Sequence, residues 1–479
     1  MTSIRACLVV ASLAAAGVAQ AQTAPAAAPA PATKADDSSL TWKGITLYGI
    51  VDIGIQNDSH SAPFSDYFPA ASASLVQKND WASPTGIAGN NLSQSRIGLS
   101  GNEPIAGDWA GVFRLETFFN PWSGDISDAL KSVALNNGKG CTAAACSQTT
   151  GVDSSVAGQL FAGAAYAGFS SPTYGSFTFG RHVTLLADGI SKYDPMGAAQ
   201  AFSLIGFSGT TAGGGDTEDR RLDQSIKYSA KYDWLHLGAL YQFGSNSGSV
   251  NTGYQFQIGA DFAGFSIDGY YFKKYDAISV GSLSAAQVTD LQTGACNAPA
   301  PATPQCVPVT NALSGTISDN QTYAVMVLYA IPGSSVKLFG AYEQITFNNP
   351  SNPLNPGTPI IGGYVLAFTN NTAYDNEKTL DVYWAGIKAG ITPDLDVMAA
   401  YYGYNQNSFA KGADAGCGTT VSSGCSGTEG VASLVLDYRL TKRFDAYAGV
   451  MWSGVQNGLA NGYLNKDNVA TTAGIRFKF

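Results

Sequence analysis

The sequence predicts an all-β fold, a sixteen-stranded antiparallel transmembrane β-barrel with short periplasmic turns and long extracellular loops. Three observations predict it. Sixteen runs of residues alternate apolar and polar positions with period two, which a strand produces and a helix does not. The connections between the runs alternate between short and mostly long, an arrangement that a soluble sandwich has no reason to adopt and a barrel inserted from the periplasm does. The composition is low in charge (13%) and holds 55 Gly, 24 Tyr and 23 Phe among 479 residues, which suits many strands and turns and excludes a disordered chain. Mean hydropathy is +0.00. No internal stretch reaches the ~18 apolar residues of a spanning helix, which leaves strands as the means of crossing.

In chain order, Met1–Ala21 reads as a secretory signal: Arg5 as the basic start, an apolar run from Ala6 to Val18, then Ala19-Gln20-Ala21 as a small-x-small cleavage site. Residues 22–44 read as an Ala/Pro-rich linker, and 45–479 as the barrel domain. Loss of Arg5 takes the net charge from −9 to −10, a poor balance for binding nucleic acid. Cys7 lies in the signal. The other six cysteines form local pairs, Cys141 with Cys146, Cys296 with Cys306 and Cys417 with Cys425, each in a loop rich in small residues. In an exported chain they predict three loop-closing disulfides. The rival, a zinc site, lacks a nearby histidine and enough ligands.

The runs are 45–56, 92–102, 108–119, 158–170, 174–182, 222–230, 234–245, 252–262, 264–275, 318–330, 333–345, 376–389, 394–406, 428–440, 443–455 and 468–479. In the first, Leu47, Val51, Ile53 and Ile55 oppose Tyr48 and Asp52. In the third, Phe113 and Leu115 oppose Arg114 and Glu116. Near 240, Leu237, Tyr241 and Phe243 oppose His236 and Gln242. In the last, Ile475, Phe477 and Phe479 oppose Gly474, Arg476 and Lys478. A charge on the lipid face costs about 2–4 kcal/mol at the midplane. These runs carry their charges on the other face, which is therefore expected to see water, in a lumen that sixteen strands leave open.

The ordered phrases TLYGIVDIGI, SRIGLSGNEPIAGDWAGVFRLE, AYAGFSSPTYGSFTFGRH and RRLDQSIKYSA, with the terminal Phe479, resemble the Gram-negative general porins of betaproteobacterial type. The resemblance covers essentially all the expected strands in order. It implies an outer-membrane barrel, embedded in outer-membrane lipid, that assembles as a homotrimer, needs no cofactor and passes ions and small hydrophilic solutes by passive diffusion. It also implies a third loop folded into the lumen, and a C-terminal Phe479 read by the barrel-insertion machinery.

The third long loop, His182 to Arg221, resembles the constriction loop and holds Asp188, Asp194, Asp216, Glu218 and Asp219. Loop carboxylates facing wall cations would set a transverse field on permeating solutes. Parity offers Arg96, Arg114, Arg221 and Lys227 as wall cations, with Glu116 and Asp52 as acidic neighbours. Arg96 and Arg221 stand where the family often has a pore arginine. The fourth strand departs from some members, since Leu160–Ala165 holds no arginine. Arg181 has lipid-side parity and is expected past its strand end. For each charge the bland reading is a solvated lumen or loop residue.

The net charge and the acidic loop predict weak cation preference. Two rival functions remain: a substrate-selective channel, suggested by lumen-parity Tyr48, Tyr270, Phe272 and Tyr402, and a surface adhesin or receptor barrel with a blocked pore, suggested by the disulfide-tied loops. Catalysis finds no support. The three histidines, His60, His182 and His236, sit in no triad or metal-ligand spacing, and Gly213-Gly214-Gly215 is followed by no Lys-Ser/Thr.

Overall fold

A computed structural model describes residues 40–61, 83–124, 126, 160–207, 220–244, 252–282, 313–351, 360–361, 364–365, 368–412, 417, 422–461, 463 and 465–479. Sixteen long strands form the wall: β1 (Ile45–Asp58), β2 (Arg96–Ala106), β3 (Trp109–Phe118), β4 (Ala164–Ser171), β5 (Gly175–Val183), β6 (Arg221–Tyr232), β7 (Leu235–Gln242), β8 (Gly253–Phe262), β9 (Phe265–Ser282), β10 (Leu313–Ala330), β11 (Val336–Asn348), β12 (Lys378–Thr392), β13 (Leu395–Gln406), β14 (Gly427–Arg439), β15 (Phe444–Asn457) and β16 (Asp467–Lys478). Each pairs antiparallel with the next, and β1 pairs with β16 from Ile50–Lys478 to Asp58–Ala470. The ladder thus returns to its start, and closure satisfies every strand edge as a bilayer requires.

Period two is realised in space. On β14, Leu434, Leu436 and Tyr438 are exposed on the outer face while Val435 and Asp437 are buried. On β7 and β8, Tyr241, Phe256 and Ile258 point out, and His236, Gln242 and Gln255 point in. The short turns follow from residues that accept positive φ. Between β8 and β9 the two-residue turn is Ala263 (φ 49°) and Gly264 (φ 85°), whose twist matches that of the flanking strands.

Three differences from the expected boundaries have local causes. The second run begins at Arg96 instead of 92, because Asn90 (φ 63°) turns the chain into the lumen. There the buried Asp52 carboxylate accepts from Leu92 N at 3.0 Å and Ser93 N at 2.7 Å. The outer part of β1 is instead paired by a short strand, Thr85–Gly89. Second, β9 continues past the expected 275 to Ser282, because a bulge between Lys274 and Ala277, with Asp276 at φ 50°, breaks the alternation without ending the strand. Third, pairing begins before Ile45, with Thr41–Trp42 folded back on Thr46 and Ile45.

Of the expected disulfides, Cys417–Cys425 is formed in the β13–β14 connection. Cys141, Cys146, Cys296 and Cys306 lie outside the described residues, as do residues 1–39 with the signal and most of the linker.

The lumen is not wet throughout, which corrects the expectation drawn from the charged positions. Val382, Trp384, Met398, Tyr402, Val435 and Met451 point inward from β12–β15 and are buried. They pack with Leu186, Ile190, Met196, Phe202 and Ile205 of the chain that follows β5. The hydrophobic core of this molecule is therefore the contact between an inserted loop and one side of the wall.

Candidate functional site

The chain leaves β5 and turns inward at Thr184, whose hydroxyl accepts from Ala187 N at 3.2 Å and caps a helix, α1 (Leu185–Tyr193). The helix runs along β7–β9 from the long-loop rim toward the short-turn rim. At its start Leu185 N donates to Gln255 Oε1 at 2.7 Å. At its end the fully buried Asp268 accepts from Lys192 Nζ at 2.9 Å, from Gln257 Nε2 at 3.0 Å and from the Tyr193 hydroxyl, and lies 3.1 Å from His236 Nδ1. Hydrogen bonds to a buried carboxylate are worth more than neutral ones, so Asp268 is a strong anchor.

Beyond α1 the chain crosses to the opposite wall. Trp384 Nε1 donates to Tyr193 O at 2.9 Å, and Tyr402 Oη to Asp194 Oδ1 at 2.5 Å. Met196 N and Ala198 N also donate to Asp194, at 3.0 and 2.8 Å. Burial pushes the Asp194 carboxyl up, and these donors oppose the shift. The Phe202 ring meets Tyr447 edge-on at 6.3 Å, and Ala201 N donates to Asn91 O at 3.0 Å. Helix and following chain together occupy the β7–β15 side of the lumen.

Among the described residues, a cavity of about 730 Å³ lies open beside β1–β6, lined among others by Tyr48, Arg114, Tyr166, His182, Asp188 and Lys227. On its β3 side, Arg114 Nη2 donates to Glu116 at 2.6 Å and Arg114 Nε to Tyr48 Oη at 2.7 Å, while Tyr48 Oη donates to Glu116 at 3.0 Å. Arg96 Nε stands 3.9 Å from the same carboxylate. Glu116 is 3% exposed, whereas the arginine side chains are 32% (Arg96) and 39% (Arg114) exposed. A solute therefore meets the cations before the anion. On the α1 side, Lys227 Nζ donates to Asp188 Oδ2 at 2.5 Å and to Val183 O at 2.9 Å. Asp188 remains 56% exposed.

Of the expected site residues, the structure brings Arg96, Arg114, Glu116, Lys227 and Asp188 to this cavity or to groups lining it. Arg221 is buried behind it, with Nε donating to Gly163 O at 3.2 Å and its guanidinium 4.7 Å over the Phe118 ring. Asp194 holds the loop to the wall, and Asp52 holds the chain at Leu92–Ser93. Asp216, Glu218 and Asp219 lie outside the described residues. Arg181 corrects its expected place: it sits within β5, buried, paired with Asp223 and donating to Ala162 O at 3.0 Å. The pairing shifts from Gly180–Ser225 to His182–Leu222, and the extra residue lies in β6, at Gln224 (φ 50°), so Arg181 keeps the phase of Phe177 and Phe179 and is buried by its partners rather than by a change of face. The lumen aromatics divide. Tyr270, Phe272 and Tyr402 pack behind the loop, and Tyr48 borders the cavity with Tyr166, which stacks on His182 at 4.9 Å. Sequence reasoning missed Asp268 and Trp384 as anchors. Their lumen parity was legible, but the loop that meets them was not.

Comparison with known proteins adds the following. A family model described as Gram-negative porin matches residues 6–458. An outer membrane porin protein of Bordetella pertussis is 28% identical over 204 residues, 42% of this chain and 43% of that protein, so the match spans less than half of the relative's length. Among solved structures, the anion-selective porin from Comamonas acidovorans aligns with TM-score 0.55 and 15% identity over 91% of this chain and 99% of its own. OmpT of Vibrio cholerae, expressed in the outer membrane, aligns with TM-score 0.51 and 13% identity over 92% and 100%. At these identities the structural likeness shows the fold.

Proposed function

The chain belongs to the Gram-negative porin family, and from that membership we propose that it forms a water-filled channel across the outer membrane for passive diffusion of ions and small hydrophilic solutes. The observation that carries this reading is the cavity beside β1–β6, bounded by charged and hydroxylated side chains inside a closed wall that is apolar outside. A homotrimer in outer-membrane lipid is proposed with it, as in the trimer form of the Vibrio cholerae OmpT. Phe479 is proposed as the residue read by the barrel-insertion machinery. Its N and O bond Gly49 O and N at 3.0 and 2.9 Å, so the last residue joins the ladder of the first strand. Purified protein added to a planar bilayer is expected to give stepwise increments of ohmic conductance. Folded protein that enters the bilayer without such steps would overturn the channel and favour the receptor reading.

A second reading, of selectivity, rests on the charges around the cavity. Among the described residues, Arg96, Arg114 and Lys227 stand at or beside the cavity against Glu116 and Asp188; Glu116 lies beneath its arginine partners, while Lys227, 14% exposed, lies beneath the 56% exposed Asp188. This local excess supports weak anion preference, opposite in sign to what net charge and loop composition suggest, because a solute responds to charges within about a Debye length, ~10 Å at 0.1 M salt. In a KCl gradient the reversal potential should take the sign of chloride permeation. The opposite sign would assign the field to Asp216, Glu218 and Asp219.

A further inference from the structure

We propose that glycines at the contact between loop and wall are positioning residues that set the bore of the channel. Gly238 on β7, Gly386 on β12 and Gly449 on β15 each leave a slot that a loop residue fills. A Cβ at Gly238 would stand 2.9 Å from Leu185 Cδ2 and 2.7 Å from Gln257 Oε1, whose amide end can swing aside. One at Gly386 would stand 2.5 Å from Pro195 Cγ and 2.6 Å from Ala399 O, and one at Gly449 2.7 Å from both Phe202 Cε1 and Leu434 O, so there the wall backbone is met together with the loop. The helix supplies a fourth seat from its own side: a Cβ at Gly189 would stand 2.5 Å from the Tyr270 hydroxyl and 2.6 Å from its Cζ. Real Cβ contacts are not this short, so any side chain there displaces the loop or the wall.

Gly189 is the informative case. It is buried in the middle of a nine-residue helix, where glycine costs about 1 kcal/mol relative to alanine. The close approach of Tyr270 gives this glycine its physical reason. The seats lie on three separate strands and on the loop itself, yet all meet one inserted segment. Together they fix how far that segment stands off the β7–β15 wall, and so how much lumen is left beside Arg114 and Lys227. Pushing α1 off its seat moves it toward the open cavity, since the wall is behind it.

The proposal rests on the channel reading, and its test separates the two. Unitary conductance is measured for the wild type, for Gly189→Ala and Gly238→Ala, and for the doubles Gly189→Ala/Tyr270→Ala and Gly238→Ala/Leu185→Ala. Each single variant should conduct on the order of 1.5- to 2-fold less than wild type with a lower size limit for neutral solutes, and each double should recover toward wild type. A helix-propensity effect alone would make Gly189→Ala neutral or more stable, with unchanged conductance. Should a single variant fail to assemble, recovery of assembly in its double supports the seat. Wild-type conductance in both singles, or doubles no better than singles, overturns the proposal. A silent wild type would defeat the channel reading instead.

Discussion

Arg476→Met is expected to destabilise the folded barrel by about 3–5 kcal/mol, the cost of leaving a buried ion pair without one partner. The Arg476 guanidinium lies at the seam where β16 meets β1 and β15. Its Nε and Nη2 donate to Asp445 at 2.9 and 3.0 Å, Nη2 also to Asp437 at 3.0 Å, and Nη1 to Ser93 Oγ at 2.8 Å. Asp445 is 2% exposed and would keep only Lys478, at 2.7 Å. Asp437 would lose the guanidinium that donates to it and keep only the more distant attraction of Lys478 and Lys388 among the described residues. Methionine replaces the aliphatic stem, so lost packing is the lesser part of the effect. Urea unfolding in detergent, followed by tryptophan fluorescence, should show a lower midpoint with an unchanged slope. An unchanged midpoint would mean that water enters the seam and solvates the carboxylates there.

The second large effect is electrostatic. Among the described residues, Arg114→Glu converts three cations against two carboxylates into two against three around the open cavity, and it places the new charge beside Glu116. The reversal potential in a salt gradient should change sign, and the change should shrink as salt rises. Glu116→Gln, which removes the carboxylate beneath Arg96 and Arg114, should move it the other way and deepen anion preference. If Arg114→Glu leaves the potential where it was, the selective step lies elsewhere along the lumen.

Much of the wall was legible because alternation is local. The phase of Leu434, Leu436 and Tyr438 against Asp437 needs no knowledge of neighbours, and thirteen-residue β14 stands within a residue of its expected bounds at both ends. The same locality explains the errors. At Gln224 one extra residue in β6 inverts the phase between Lys227 and Arg221. At Asp276 a bulge resembles an ending. The contents of the lumen were less legible, because parity shows that a residue faces in and not what it faces. Val435, Met451 and Trp384 share an inward phase with Asp437 and Arg476, and only the path of residues 185–207 decides that the first three are covered. Among the candidate charges, Arg114, Lys227 and Asp188 were placed by phase and loop identity alone. Arg221 has the same phase by count, but the extra residue at Gln224 hands the inward position to Leu222 and leaves the Arg221 guanidinium over the Phe118 ring.

The off-centre opening divides the inner surface into two halves that answer to different masters. Inward residues of β1–β6 that line the cavity, such as Tyr48, Arg114 and Tyr166, meet whatever passes through, and they are open to re-engineering of a nanopore sensor one side chain at a time. Inward residues of β12–β15 that face the inserted chain, such as Val382, Trp384, Met398 and Val435, meet the protein's own interior, and substitutions there have to be made in matched pairs with that chain.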